Sequence, residues 1–414
     1  MLGVSKKERK RKNLKKVYLI SNYFHFKQEK ASNRYRELAE MLSAEKDLEI
    51  EVITSTFYQR IYEHRKNFGE LVKDIPFKAT FIEEPGYKKS ISIKRLISSQ
   101  IFAKNLLDYV KSCPKPDLIY QVVPTLDSAY IISKYAKENN IPLIIDVQDL
   151  WPEAFKMALN IPVISDIAFF PFKWKANKIY ERADIICGVS ETYVERALKV
   201  NNSKDKGRAV YIGINLKNFD KNVSEWNLKK EKRNLDRIKL AYCGSLSKSY
   251  DIKLVIDALA LMKDPPLFII MGGGNSKEEF EKYAKEKNVE TIFTGFLPYT
   301  EMCGLLCSCD IVVNPIIGSS VASIINKHGD YAASGLPVIN TQNSLEYCKL
   351  IEDYYMGYNS VQKTPEDLAN KIEKLMKNKE LRLEMGKNAR KCAEEKFDRA
   401  QTYKKLVEAV KQLL

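Results

Sequence analysis

The sequence predicts an α/β protein built from two doubly wound parallel sheets in series. Three observations carry that expectation. Short apolar runs alternate with stretches of helical spacing, as parallel strands covered by helices require. The alternation breaks once, over the highly charged residues 217–237, and then restarts. The length, 414 residues, exceeds what one ordinary core fills.

In chain order, residues 1–16 read as a basic arm. Positions 6–16 (KKERKRKNLKK) hold eight Lys or Arg against one Glu and almost nothing apolar to pack. Residues 17–216 read as the first domain. Val17–Ser21 is a buried strand, Asn33–Ser43 a helix with Leu38, Ala39 and Leu42 on one face, and Glu49–Thr54 a second strand. Leu118–Val123, Leu143–Val147 and Ile185–Val189 supply further strands. Residues 217–237 lack apolar periodicity and read as a charged linker. Residues 238–395 read as the second domain, with strands at Ile238–Cys243, Leu267–Met271, Thr291–Thr294, Ile311–Asn314 and Pro337–Thr341. From Pro365 onward the chain is helical, anchored by Leu375, Leu381 and Met385. Its last part, 396–414, forms a helix free to pack back on the first domain.

Composition narrows the function. A formal net charge of +15 predicts affinity for polyanions, whether anionic lipid, nucleic acid or phosphorylated small molecules. The basic arm suits an anionic membrane surface. No run reaches 18 apolar residues, so no transmembrane helix is expected, and the basic N-terminus has no apolar run behind it to make a signal peptide. The eight cysteines are scattered, which fits reduced thiols. Cys303, Cys307 and Cys309 cluster without histidines, so a zinc site is not expected there.

Ligands of such sheets bind at the carboxyl ends of the strands, and four strand-end loops stand out. Cys243–Tyr250 (CGSLSKSY) offers turn amides at Gly244, the Ser245 and Ser247 hydroxyls and the Lys248 ammonium, a set suited to a diphosphate. It lacks the Walker A spacing. Gly272, Gly273 and Gly274, followed by Asn275, allow close backbone approach, but not in a nicotinamide-binding register. Asp146–Glu153 (DVQDLWPE) sets three carboxylates beside Trp151, an indole wall for a sugar ring next to groups that orient a hydroxyl. Asn326–Ile339 (NKHGDYAASGLPVI) follows the small-residue loop 318–323. There Asp330 suits two ribose hydroxyls, His328 could donate to phosphate, and the helix start favours an anion.

Taken in order, DVQDLWPE, Val189-Ser190-Glu191, the strand–Gly–polar loop at Gly244, GGGN, Gly295-Phe296-Leu297-Pro298 and the stretch from Asn326 to Val338 resemble family 4 of the retaining glycosyltransferases. The resemblance spans nearly the whole chain from Val17. Its Asp-Leu-Trp-Pro segment is similar to that of enzymes building bacterial capsule, O-antigen and other exopolysaccharides. It implies the GT-B fold, two Rossmann-like domains facing an interdomain cleft, with the nucleotide-sugar held by the second domain. The donor is expected to be a UDP-sugar and a substrate, with no cofactor and no metal, since no Asp-x-Asp motif is present. Asp330 matches the family's ribose-binding acid. The usual acid eight residues earlier is Ala322, so the backbone of 321–324 would substitute. The diphosphate-binding Arg and Lys positions hold Ser245 and Asp251, leaving Lys248 as the cation, with Lys327 or Arg34 assisting. Phe296 and Leu297 would flank the base with the glycines. Where many members use a His, Gln148 or Asp149 stands, and Asp149 is the candidate catalytic residue.

The resemblance thus implies transfer to a glycan acceptor, lipid-linked, by a cytoplasmic enzyme peripheral on the inner face of the membrane. The apolar stretch Ile161–Trp174 is either a segment that dips into the bilayer interface or a buried helix of the first domain, and Lys173, Lys175 and Lys178 favour the interface. The rival readings are a UDP-sugar epimerase of the same fold, a non-catalytic nucleotide-sugar sensor and a nucleic-acid-binding protein. No nucleic-acid partner is expected, because no RNA- or DNA-binding motif is present.

Overall fold

The structure is a computed structural model that describes residues 14–29, 34–153, 162–229, 237–317 and 324–414. The chain divides into two compact units, Met1–Val210 with Tyr403–Leu414, and Tyr211–Thr402.

The first unit is a parallel sheet covered by helices. Its strands are β1 (Lys15–Ile20), β2 (Leu48–Ser55), β3 (Lys78–Ile82), β4 (Leu118–Val123), β5 (Leu143–Val147), β6 (Ile185–Gly188) and β7 (Gly207–Ala209). They lie in the order β3-β2-β1-β4-β5-β6-β7. β4 and β5 are buried along their whole length, the signature of strands covered on both faces. The helices are α1 (Arg34–Ser43), α2 (Ile93–Ser112), α3 (Leu126–Glu138), α4 (Pro162–Arg182) and α5 (Glu191–Asn201). The C-terminal helix Lys404–Leu413 joins this unit. Its Leu406 and Val410 share a core with Leu38 and Leu42 of α1 and with Val17 and Leu19 of β1.

The second unit repeats the plan. Helix α6 (Leu216–Lys229) precedes β8 (Lys239–Cys243), α7 (Ile252–Ala260), β9 (Leu267–Met271), α8 (Lys277–Glu286), β10 (Thr291–Gly295), α9 (Tyr299–Cys307) and β11 (Ile311–Asn314). Then come α10 (Lys327–Ala333), β12 (Val338–Asn340), α11 (Leu345–Asp353), β13 (Gly357–Asn359), α12 (Pro365–Lys377) and α13 (Lys379–Cys392). The strand order β10-β9-β8-β11-β12-β13 is that of a Rossmann fold. Two apolar clusters, one on each face, close over this sheet. Each unit is therefore a Rossmann-like domain, and the order reverses between β1 and β4 in one and between β8 and β11 in the other. Such switch points open a crevice at the strand ends where ligands bind.

Three boundaries differ from the sequence reading. Residues 1–13 of the basic arm lie outside the described residues, but Lys15 and Lys16 belong to β1. There Lys15 pairs with Asp117 at 3.0 Å and Lys16 with Glu51 at 3.3 Å, so neighbouring carboxylates draw basic residues into the strand. The segment 217–237 is not a plain linker. Its first part is α6, and Phe219, Val223 and Trp226 supply a helical stripe hidden among the charges. Trp226 packs so closely on α9 that a Cβ on Gly304 would fall 1.9 Å from the indole. Residues 211–216, read as part of the first domain, lie in the second. Ile214 N donates to Phe397 O (2.8 Å) and Arg399 N to Ile214 O (2.9 Å), pairing the entry to the unit with its exit.

Candidate functional site

In the second unit three strand-end loops are laced together by backbone hydrogen bonds. Gly244 N donates to Met271 O, Leu246 N to Gly273 O and Gly272 N to Gly295 O, each at 2.9 Å. The approach demands glycine. Gly272 has φ +142°, and a Cβ there would lie 1.9 Å from the Gly244 carbonyl oxygen. The Phe296 ring lies against Gly273 and is 82% exposed, and Leu297 is half-buried in the core beneath. This leaves a rimmed shelf with an open aromatic face at the ends of β8, β9 and β10.

Helix α10 brings the ionisable groups to this shelf. Tyr331 fixes it: its hydroxyl accepts from Cys243 N and donates to Cys243 O, both at 3.1 Å. One turn earlier, Lys327 reaches the Gly244 turn, where a Cβ on Gly244 would lie 2.5 Å from the Lys327 Nζ. The ammonium sits over two rings, 4.3 Å from the Tyr242 centroid and 3.9 Å from Tyr250, and donates to the Tyr242 hydroxyl at 3.2 Å. Among the described residues no carboxylate pairs with it. Burial pushes its pKa down to about 7. Asp330 accepts a 2.8 Å hydrogen bond from the Tyr299 hydroxyl. Burial pushes its carboxyl up to about 6, against the opposing effects of Tyr299 and Arg399. A cation with no carboxylate partner among the described residues, and a carboxylate bonded to the Tyr299 phenol, match a diphosphate and a vicinal diol in chemistry.

The other predicted residues fall as follows. Ser245 and Lys248 are exposed at the same turn, and among the described residues Lys248 makes no ion pair. Asn326 is exposed at the start of α10, which is only seven residues long. Asp251 caps α7 by accepting from Leu254 N. His328 is buried, stacked 3.4 Å on Tyr347, with Ile325 N at its Nδ1 and the Asn314 amide at its Nε2. It is a neutral core residue rather than a phosphate donor, because burial and Lys327 hold its pKa well below the ordinary value. The loop 318–323, Ala322 included, lies outside the described residues.

In the first unit, Arg34 is excluded as a phosphate ligand. It is fully buried in α1, bonded to Asp146 at 3.0 Å and to Val210 O, and packed over Tyr403. Asp146, the first carboxylate of DVQDLWPE, is consumed by that pair and by the Tyr120 hydroxyl at 2.6 Å. Glu153 pairs with Arg196 at 2.6 Å. Asp149 is left without an ion pair among the described residues: it accepts from Trp151 Nε1 at 3.0 Å, and burial raises its pKa. Arg95 was not singled out by sequence, yet its guanidinium lies 4.7 Å from the Trp151 ring and holds the indole in place.

Residues 224–392 match the family described as "Glycosyl transferases group 1". An uncharacterized glycosyltransferase of Methanocaldococcus jannaschii is 24% identical over 262 residues, which cover 58% of this chain and 62% of that protein. The chain thus spans about three fifths of that relative. A putative colanic acid biosynthesis glycosyl transferase, WcaI of Escherichia coli, is 24% identical over 77% of this chain and 81% of its own. The crystal structure of Anabaena HepE in complex with UDP superposes with TM-score 0.67 at 13% identity, covering 96% of this chain and all of HepE. The fold is thus of GT-B architecture, two Rossmann-like domains as in HepE. The stretch similar to the glycosyl transferases group 1 family falls within its second unit.

Proposed function

We propose that this protein is a retaining glycosyltransferase that moves a sugar from a UDP-linked donor to a lipid-linked glycan in cell-surface polysaccharide biosynthesis. It works at the inner face of the cytoplasmic membrane. The observation that carries the reading is the shelf at the ends of β8, β9 and β10, with Lys327 at the Gly244 turn and Asp330 beside it. The UDP named for HepE and the polysaccharide named for WcaI lie in the same direction. No described helix is long and apolar enough to cross a membrane, so contact with a lipid-linked acceptor would be peripheral.

The chemistry follows from the charges. As the bond from the sugar C1 to the β-phosphate oxygen breaks, negative charge grows on the diphosphate. Lys327, held against the Gly244 turn, stabilises it there. The acceptor hydroxyl oxygen bonds C1 on the face that the phosphate leaves, and its proton passes to the departing phosphate oxygen. Asp330 holds the ribose diol. Phe296 offers its exposed ring to the base. Asp149 accepts from an acceptor hydroxyl and orients it.

A thermal-shift screen of nucleotide-sugars tests the donor half. A ligand at 100 times its dissociation constant adds about 2.7 kcal/mol of apparent stability. Asp330→Ala should remove the shift for the true donor; a shift that persists unchanged overturns the ribose assignment. An NMR readout of the product anomer tests retention, and donor turnover without any acceptor would point to the epimerase instead.

A further inference from the structure

The first unit holds a cavity of about 370 Å3 that the donor site does not explain. It opens between the N-terminal ends of α2 and α3, the Trp151 loop and the middle of α4, and its walls are chiefly Ile91, Ile93, Leu96, Trp151, Phe169 and Phe172. Most of its polar groups are already engaged. Arg95 donates to Ser90 O (2.6 Å) and to the Tyr23 hydroxyl (3.2 Å), Asp127 pairs with Lys175 (2.6 Å), and Thr125 bonds Ser128 (2.8 Å). A polar ligand would find few partners inside, whereas an apolar one would shed its hydration. The size lies within the range of small-molecule pockets.

The mouth has a different character. Ile91 and Ile93 are 71% and 75% exposed, with Phe170 and Trp174 exposed on α4 beside them. Near them in the chain stand Lys88, Lys89, Lys94 and Lys173, all exposed and without ion pairs among the described residues. Residues 88–104 carry five basic side chains and no acid. An apolar slot whose mouth is built from so basic a segment is complementary to an anionic amphiphile. Trp151 ties this slot to the acceptor side, because its ring lines the cavity while its Nε1 donates to Asp149.

The geometry points to a binding site for the hydrocarbon chain of a phosphate-linked lipid, the anchor of the acceptor itself. The chain enters between Leu96, Phe169 and Phe172, the phosphate meets the lysines of that basic segment, and the attached sugar lies toward Asp149. This rests on the reading of Asp149 as the acceptor-orienting residue, and it adds that a single chain is taken into the protein rather than left in the bilayer.

Calorimetric titration of the full-length protein with monomeric farnesyl phosphate tests it, with inorganic phosphate and phosphatidylglycerol vesicles as controls. Farnesyl phosphate should bind at least about tenfold more tightly than phosphate. Leu96→Glu and, separately, Ile93→Glu should each weaken it about tenfold or more, both at exposed positions that tolerate a charge. The UDP-glucose thermal shift should be unchanged in these variants, which reports folding and the donor site independently. Equal binding of phosphate and farnesyl phosphate overturns the proposal, as does binding indifferent to both substitutions. Binding to vesicles without binding to the monomeric lipid also overturns it, leaving a membrane-docking face. Loss of the UDP-glucose shift in the wild-type protein would sink the donor assignment alone.

Discussion

The Lys327 ammonium lies 4.3 Å from the centre of the Tyr242 ring, and Tyr242 in turn donates to Ser245 O at 2.6 Å. A lysine four residues short of the tyrosine that pins its helix is thus placed against the turn after β8, between aromatic faces and without a counter-ion among the described residues. A ligand diphosphate would supply that counter-ion.

The pH dependence of donor binding follows. Lys327, with its pKa near 7, must be protonated to meet the diphosphate, so affinity falls as pH rises above about 7, by at most about tenfold per pH unit for one proton. Asp330, with its pKa near 6, must be ionised to accept two ribose hydroxyls, so affinity also falls below about 6. The affinity for UDP-glucose, whose phosphates do not titrate in this range, should peak between about pH 6 and 7. Lys327→Met should flatten the alkaline limb and Asp330→Asn the acid limb. In the unliganded protein the Lys327 shift acts on stability with the opposite sign. The unfolded chain binds more protons between about pH 7 and 10.5, so stability rises with pH across that window.

Asp149→Asn should cost about 10- to 100-fold in kcat/KM for the acceptor, the worth of one hydrogen bond to a charged group. The donor dissociation constant should not move. A loss confined to donor binding would remove Asp149 from the acceptor side.

Arg34→Met should destabilise the first unit by about 3–5 kcal/mol, because Asp146 would keep a buried charge with only the Tyr120 hydroxyl to answer it. Adding Asp146→Leu should recover much of that loss. UDP-glucose affinity measured on the folded single variant should be unchanged, since the guanidinium is sealed in the core. Urea unfolding followed by circular dichroism reads the first effect and calorimetry the second.

Gly304→Ala should lower stability by about 1–3 kcal/mol through overpacking against Trp226. Trp226→Leu in the same background should relieve part of it. Additive effects would show that α6 does not dock on α9.

The central strands were legible because burial on both faces writes them as unbroken apolar runs, as in LIYQVV and LFIIM. Their edges were not. Lys78–Ile82, Gly207–Ala209 and Gly357–Asn359 have too few apolar residues to register as strands and take their conformation from a neighbour's hydrogen bonds. Helix α6 was hidden for a related reason: three apolar residues among many charges look like solvent until α9 is there to receive them.

The candidate site divides along the same line. Local chemistry marked Gly244, Gly272–Gly274, Asp149 and Asp330, since glycine, an isolated carboxylate and a strand end are properties of neighbours in the chain. Distance along the chain does not order the cations there: Lys248 stands four residues past Gly244 and is exposed, while Lys327 comes to that turn across the switch point from β11. Arg34 and His328 carried the same formal promise and were removed by burial. The sequence by itself determined the two sheets, the glycine turns and the carboxylates, because periodicity and turn chemistry are local. Only the tertiary structure decided which charges are free to meet a ligand, because burial and ion pairing join residues the chain keeps far apart.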